Sequence, residues 1–322
     1  LNAAHCLFGM PFSVYTGVGG VAGTELKIAM ILNTNGQAIT LEKSMVEKAG
    51  YGNLEGANAA VADLSAQNTV TFAMTFPGGT HDMWLRYWMG AAGIDQNAVK
   101  IVTIPPPQMV ANMKVDSMDG YCVGEPWNGV AVKEDIGFTH IATQDIWTDH
   151  PEKALVVNPD FAANRRDDVR LVMQAILETS IWLDDLTNRA QAAETIADAA
   201  YVNAPSDVID ARLIGNYDLG GGLGEKIFTD DYMLFHKDGA VNFPRKGHAI
   251  WFMSQYLRFG YLNEAPDYQA IADTLIMQDL YQEAASELNI AVPDDDMQPF
   301  TLKLDNVTFD PTNPAESLKL WA

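Results

Sequence analysis

The chain has 322 residues, of which about half are hydrophobic and a fifth are charged, so the composition predicts a globular protein long enough for two lobes. Its 42 acidic residues outnumber 20 basic ones and give a formal net charge of −22, which argues against binding to nucleic acid or anionic lipid. No apolar run approaches the roughly 20 residues of a membrane helix, so no spanning segment is predicted.

The first 66 residues are predicted to form two strands followed by a helical segment. An apolar run ends at Pro11, a glycine-rich loop follows, and Leu26–Leu32 alternates as a strand does. Asn33–Gln37 is polar and favours a turn, and residues 41–66 have a helical pattern broken by glycines. The chain begins with Leu1, without a basic or cleavable leader, so we expect it to start inside a fold.

Strands and helices alternate most clearly between residues 69 and 123. Strands are predicted at Val70–Phe76, Val99–Ile104 and Gly120–Val123, and helices at His81–Gly90 and Gln108–Val115. Thr80 stands where an N-cap is expected. This spacing indicates βα units, a mainly parallel sheet and an α/β fold class.

After Pro151 the pattern becomes mostly helical. Amphipathic helices are predicted at Asp167–Leu186, Asn188–Ala200, Lys246–Phe259 and Tyr268–Leu288. The tail from Asp294 is rich in proline and aspartate, with a short strand signal at Phe300–Leu304.

The segment Phe76–Trp88, FPGGTHDMWLRYW, has the local features of an anion site. A strand runs into a glycine pair and then a helix, whose first N–H groups carry partial positive charge. The glycines would let a ligand approach the backbone, and His81 would add a donor. An ordinary βα turn with a surface histidine explains the same residues, and the motif alone does not separate the two interpretations.

Two further loops follow predicted strands, at the edge where ligands bind in open α/β sheets, and a third segment, DHPEK, follows a tryptophan-containing loop. The prolines of Ile104–Val110 would form a stiff wall without N–H donors. Glu125 in GEPWN is either a gating carboxylate or a solvated one. Lys153 in DHPEK either balances the charge of an anion or is simply exposed.

Motifs for catalysis or metal binding are missing from the sequence. It contains no GxSxG, HExxH or P-loop motif, and DLGGGLGE does not match the dinucleotide-binding spacing. Cys6 and Cys122 form no CxxC pair; a disulfide between them stays open, and two buried free thiols are the favoured interpretation. The residues most similar to a metal-binding set are His140, Asp145, Asp149 and His150. Their spacing matches no known metal site, and we interpret them as exposed loop residues. We therefore expect neither an enzyme nor a bound cofactor.

Five long motifs, in chain order, resemble the nitrate-binding lipoproteins of cyanobacterial-type ABC transporters and their bicarbonate-binding relatives. They are TFPGGTHDMWLRYW, IPPPQMVANMK, GYCVGEPWN, IWTDHPEKA and KGHAIWFMSQYLRFGYL. The resemblance extends over essentially the whole chain and implies a type II periplasmic-binding-protein fold, with two lobes and a ligand cleft between them. It implies that residues 1–62 and 159–322 form the first lobe plus a C-terminal helical extension, and 63–158 the second. An N-terminal βαβ portion, with its tryptophan-containing ligand segment, is expected to be missing.

The resemblance also implies a function and a site. The protein is expected to bind nitrate or nitrite in the periplasm and to deliver it to the permease and ATPase subunits of an importer, with any lipid anchor outside this chain. The ligand-binding residues that it implies are Gln37 on the first lobe and Thr80, His81, Pro107 and Lys153 on or near the second. The position of Lys153 is acidic in the bicarbonate binders, where calcium assists. A lysine repels Ca²⁺, so nitrate is favoured and no metal is expected.

Three alternatives stay open at this point. A bicarbonate-binding homologue would share the fold. A cytoplasmic nitrate sensor controlling a regulatory partner would also share it, although such sensors lack the GGTHDMW pattern. An enzyme on a related scaffold, as in the thiamine-precursor synthases, would need a nucleophile such as Cys122.

Overall fold

The computed structural model describes residues 1–20 and 22–321. Its strands are β1 (Ala3–Leu7), β2 (Lys27–Thr34), β3 (Gln37–Glu42), β4 (Val70–Met74), β5 (Val99–Thr103), β6 (Gly120–Gly124), β7 (Gly137–Ala142), β8 (Pro151–Val157), β9 (Asn216–Asp218), β10 (Glu225–Ile227), β11 (Phe300–Thr301) and β12 (Thr308–Phe309). Its α-helices are α1 (Met10–Thr16), α2 (Val46–Ala49), α3 (Leu54–Ser65), α4 (Thr80–Ala92), α5 (Met109–Lys114), α6 (Trp127–Lys133), α7 (Pro159–Asn164), α8 (Arg166–Asp184), α9 (Arg189–Ile196), α10 (Ser206–Leu213), α11 (Lys246–Arg258), α12 (Tyr268–Leu275), α13 (Gln278–Glu287) and α14 (Pro314–Leu318). Among these described residues, no helix is both long and apolar enough to cross a membrane.

Two sheets organise the α/β fold, and four of the five strands in the larger one run in the same direction. The larger has the strand order β5-β4-β6-β3-β7, in which β4 is parallel to β5 and β6 while β3 is antiparallel to both of its neighbours. The smaller sheet, β1-β8-β2, is antiparallel throughout. The prediction of a mainly parallel sheet is therefore confirmed for the larger sheet, in which β3 runs opposite to the other four strands, and is wrong for the smaller sheet.

The chain crosses between the two sheets at points other than the predicted boundaries. The first crossing is the two-residue link between β2 and β3, where Asn35 and Gly36 both have positive φ angles, of 62° and 81°. The second is the segment 143–150 between β7 and β8. As a result, β3 belongs to the sheet of the predicted second lobe and β8 to that of the first. Boundaries at residues 62 and 159 place both strands in the wrong sheet, because the polar turn at Asn33–Gln37 joins two sheets.

Helix α1 was not predicted, because the residues at its ends also favour loops. Gly9 occupies its N-cap, Pro11 lies in its first turn, and Gly17 ends it with a left-handed backbone, φ 85°. Proline at the start of a helix and glycine just after its end are normal helix boundaries. The short apolar segment between them, with buried Phe12, is too brief to reveal helical periodicity by itself.

A continuous aromatic core joins the two halves of the molecule. The indole of Trp84 on α4 is fully buried, with its ring centroid 5.2 Å from that of Trp251 and 5.8 Å from that of Phe252, both on α11. Trp147, in the second crossing, lies against the same ring at 6.0 Å and stacks on Phe300 of β11 at 4.2 Å. The C-terminal extension thus packs directly on the helix that carries His81.

Replacing Trp84 with alanine should test this core. Removing a buried indole leaves a cavity between α4 and α11, and we expect the free energy of unfolding to fall by about 3–5 kcal/mol. Trp182 on α8 is 38 % exposed, so Trp182→Ala is the matched control and should cost about 1 kcal/mol or less. Urea denaturation of the three proteins measures the difference, and equal losses in the two variants would contradict this account of the core.

Candidate functional site

Four of the five predicted ligand residues meet around the end of β6. Gln37 begins β3 and pairs with Gly124, the last residue of β6. A Cβ built on Gly124 would lie 3.8 Å from His81 Nε2 and 3.9 Å from Lys153 Nζ. Gln37, Thr80 and His81 are buried, whereas the Lys153 side chain is 28 % exposed. The structure thus brings side chains from β3, α4 and β8 to one place.

Glu152, which the sequence analysis did not single out, lies at the centre of this cluster. Its Oε1 atom accepts a hydrogen bond from Gln37 Nε2 at 2.7 Å and another from Lys153 Nζ. The same oxygen is 3.6 Å from His81 Nε2. The carboxylate is almost completely buried, with 4 % of its side chain exposed. We call Gln37, Thr80, His81, Glu152 and Lys153 the donor cluster.

A β-bulge explains why Glu152 and Lys153 both reach the donor cluster. Successive side chains of a regular strand point to opposite faces, so two adjacent residues of β8 would not normally reach the same cluster. In the structure Asn33 pairs with Lys153 and Thr34 pairs with Pro151, which leaves Glu152 as the extra residue. An extra residue of this kind redirects side chains locally. The only signal for Glu152 in the sequence was its place next to Lys153 in DHPEK.

The charges in the donor cluster cancel. Although burial alone raises the pKa of the Glu152 carboxyl, the Lys153 ammonium and the His81 ring lower it to about 2, so the group is ionised at neutral pH. Burial lowers the pKa of His81 to about 4, so its ring is neutral. The ion pair of Glu152 and Lys153 therefore leaves the cluster without net charge.

The contacts of Thr80 differ from those predicted. The N-cap of α4 is Gly79, which has an extended backbone, and Thr80 is the first residue inside the helix. The Thr80 hydroxyl accepts a hydrogen bond from Gln37 Nε2 at 3.0 Å. Thr80 therefore helps to orient the Gln37 amide rather than capping the helix.

The glycine pair before α4 is explained by packing. Gly78 has a φ of 74°, and a Cβ there would lie 2.7 Å from Ser13 Oγ. A Cβ on Gly79 would lie 2.7 Å from Leu7 Cδ1. The Gly78 amide donates to the Asp82 carboxylate at 2.8 Å, and that of Gly79 to a backbone carbonyl. The expectation that these glycines open the backbone to a ligand is wrong, because α1 and β1 occupy that space.

Pro107 lies apart from the donor cluster. It is exposed, within a single 3-10 turn that follows β5. The contacts described for the cluster involve β3, α4 and β8 and do not include it. Its part in ligand binding stays a prediction.

Glu125 has a structural environment that matches neither of the interpretations made from the sequence. The carboxylate is buried, lies 3.8 Å from Arg212 Nε and accepts a hydrogen bond from the Gly129 amide at 3.2 Å. Arg212 is on α10, so the pair connects that helix to the start of α6. Burial raises the pKa of Glu125.

Asp145 and Asp149, from the metal-like set in the sequence, have partners of their own. Asp145 accepts hydrogen bonds from the Tyr51 hydroxyl and Lys303, at 2.5 and 2.7 Å, and Asp149 forms an ion pair with Lys237. Within residues 1–20 and 22–321, no group of three His, Cys, Asp or Glu side chains could hold a metal ion. Cys6 and Cys122 are free thiols, as predicted, although Cys6 is only partly buried.

Comparison with known proteins gives consistent matches. Residues 1–197 match the model of the NMT1-like family. The chain is 37% identical to the nitrate/nitrite binding protein NrtA of Nostoc sp., over 99% of this chain and 72% of that protein. It superposes on the crystal structure of the periplasmic nitrate-binding protein NrtA from Synechocystis PCC 6803 with a TM-score of 0.94 and 32% identity, covering 100% of this chain and 84% of the other. The bicarbonate-binding protein CmpA of Synechococcus elongatus is 29% identical over 76% of this chain and 58% of its own length. These similarities confirm the predicted fold class.

The buried histidines should make the protein less stable in mild acid. Burial lowers the pKa of His140 to about 4, below the unfolded value near 6.5, so the unfolded chain binds the proton first as the pH falls. Its contribution to stability is therefore complete above about pH 6.5 and decreases toward pH 4, by up to about 1.4 kcal/mol per pH unit.

The variant His140→Asn isolates this effect. His140 Nδ1 donates to the Gly50 carbonyl at 2.9 Å, and an asparagine amide can replace that donor without titrating. Urea denaturation between pH 7.5 and 5 should show a shallower loss of stability in the variant. Parallel profiles for the two proteins would contradict the assignment of a neutral, buried ring.

Proposed function

We propose a transport function for this chain, which belongs to the NMT1-like family and to the nitrate/nitrite-binding proteins. It binds nitrate or nitrite between its two sheets. It then delivers the anion to the permease and ATPase subunits of an ABC importer. It is a binding component and not an enzyme. The observation that carries the proposal is the donor cluster, in which Gln37, His81 and Lys153 converge from different elements of the fold.

The positions of these three residues couple binding to the arrangement of the sheets. Gln37 is in the larger sheet and His81 lies in the first turn of α4, the helix that packs on that sheet, whereas Lys153 is in the smaller sheet. A ligand held by all three bridges both sheets and stabilises their closed arrangement over an open one. The sequence predicted Gln37 on the first lobe and His81 and Lys153 on or near the second. In the proposed site, Gln37 and His81 belong with the larger sheet and Lys153 with the smaller one.

The chemistry of the donor cluster suits a planar, singly charged oxyanion. Nitrate has three acceptor oxygens and no proton, so it requires N–H and O–H donors together with one positive charge. Gln37, His81 and Lys153 can supply two neutral donors and an ammonium. No metal is needed to complete such a set.

Bicarbonate is the less favoured ligand. Calcium-assisted binding of bicarbonate needs several oxygen ligands for the cation, and the ammonium of Lys153 is directed at the only carboxylate of the donor cluster. A cation at that position would be repelled by Lys153. The lower identity to the bicarbonate-binding relative agrees with this preference.

Membership of the family supports a periplasmic location. A lipid anchor outside this chain is part of the proposal. A cytoplasmic sensor is the alternative, and cell fractionation separates the two.

Substitution of Lys153 tests the proposed ligand. Lys153→Gln keeps a hydrogen-bond donor and removes the charge, and we expect nitrate binding to weaken by about 2 kcal/mol or more, at least roughly thirty-fold in Kd. Lys133→Gln is the control, because Lys133 is half-exposed and its ammonium pairs with Asp207 of α10, which does not belong to the donor cluster. Isothermal titration of the full chain with nitrate, nitrite, bicarbonate and sulfate supplies the measurements.

Two outcomes would count against the proposal. The first is an unchanged nitrate affinity in Lys153→Gln, which would place the anion elsewhere. The second is tighter binding of bicarbonate than of nitrate by the wild-type protein. If Lys133→Gln lost as much nitrate affinity as Lys153→Gln, the loss would reflect the change in net charge and not a local contact with the anion.

A further inference from the structure

Glu152 occupies the donors that the proposed ligand requires. One of its oxygens accepts from both Gln37 Nε2 and Lys153 Nζ and lies 3.6 Å from His81 Nε2. Nitrate and a carboxylate are both acceptors, so they cannot hydrogen-bond to one another and must compete for the same N–H groups. The buried carboxylate of Glu152 therefore accepts the hydrogen bonds that a bound nitrate would accept.

The charges near Glu152 make this competition strong. Among the residues that the structure describes, Lys153 is the one lysine or arginine within 4 Å of the carboxylate. The neighbouring titratable groups add no positive charge. Burial raises the pKa of Cys6 to about 12 and that of Cys122 well above its usual value, so both are neutral thiols. Burial lowers the pKa of His150 to about 4, so its ring is neutral as well.

An anion that enters the donor cluster thus meets the Lys153 ammonium, whose charge is already neutralised by Glu152. A singly charged ligand leaves the buried site with one net negative charge if Glu152 stays in place, and a doubly charged ligand leaves it with two. Unpaired buried charge is costly, and the cost rises with the size of the charge. The Glu152 backbone is held by the Phe8 amide, which donates to the Glu152 carbonyl at 2.9 Å.

We propose that Glu152 is a specificity-determining residue, whose carboxylate competes with the ligand for Gln37 and Lys153 and thereby limits the affinity for nitrate and excludes divalent oxyanions. This inference rests on the proposed function, because it assumes that the ligand uses the donor cluster. It differs from a positioning role, in which Glu152 would hold Gln37 and Lys153 in place and its loss would weaken binding.

Glu152→Gln distinguishes the two roles. The glutamine keeps the size of the side chain and one acceptor oxygen for Gln37 and Lys153, but it removes the negative charge. We expect Kd for nitrate to fall at least roughly tenfold, and sulfate, which the wild-type protein should reject, to bind measurably. Isothermal titration at pH 7.5 gives both quantities, and thermal unfolding verifies that the variant is folded.

Two matched variants separate charge from shape. Glu134→Gln removes one exposed carboxylate, which pairs with Lys114, and should leave the binding of both anions unchanged. Glu152→Asp keeps the charge but shortens the side chain, so it should continue to exclude sulfate. Sulfate binding by both Glu152 variants would mean that shape controls selection, and it would overturn the inference.

The remaining outcomes distinguish this inference from the function on which it rests. If wild-type protein binds nitrate and Glu152→Gln binds it equally or more weakly, the inference is overturned and the proposed function stands. If neither protein binds nitrate, both are overturned. Tighter nitrate binding together with new sulfate binding in Glu152→Gln alone supports the inference.

Discussion

The donor cluster depends on a hydrogen-bonded junction between the two crossings of the chain. At this junction the Asn35 amide donates to the His150 carbonyl at 3.2 Å, and the Asp149 amide donates to Asn35 Oδ1 at 2.9 Å. Gln37 immediately follows the first crossing, and Glu152 and Lys153 lie two and three residues after the end of the second at His150. Because the crossings are tied together, side chains more than a hundred residues apart in sequence meet with hydrogen-bonding geometry.

The same junction accounts for the backbone that surrounds it. Asn35 tolerates its left-handed conformation because its side chain is fully engaged, donating also to the carbonyls of Asp231 and Tyr232 at 3.1 and 3.0 Å. Gly36 is required next to it, since a Cβ there would lie 2.2 Å from the Met233 side chain. Residues 231–233 thus hold the first crossing in place through contacts with Asn35 and Gly36. The aromatic core around Trp84 holds α4 in place.

Electrostatics in the donor cluster is local. The net charge of −22 opposes any anion at long range, and the cluster itself is neutral through the pairing of Glu152 with Lys153. Under the proposed function, this balance favours a small monovalent anion, because the donor cluster carries no uncompensated positive charge. A second lysine would bind anions more strongly, but it would also admit divalent ones.

The sequence by itself determined the elements whose periodicity is local: β4, β5 and β6, the helices α4 and α11, and the chemical types of Gln37, His81 and Lys153. It also indicated a binding protein rather than an enzyme, through long ordered motifs. Only the tertiary structure decided that β3 and β8 exchange sheets, that the Gly78–Gly79 pair serves packing, and that a bulge turns Glu152 toward the donors. Hydrophobic periodicity reports the burial of one element, whereas strand pairing, bulges and charge pairing arise between residues distant in sequence. Such contacts exist only when the whole chain has folded.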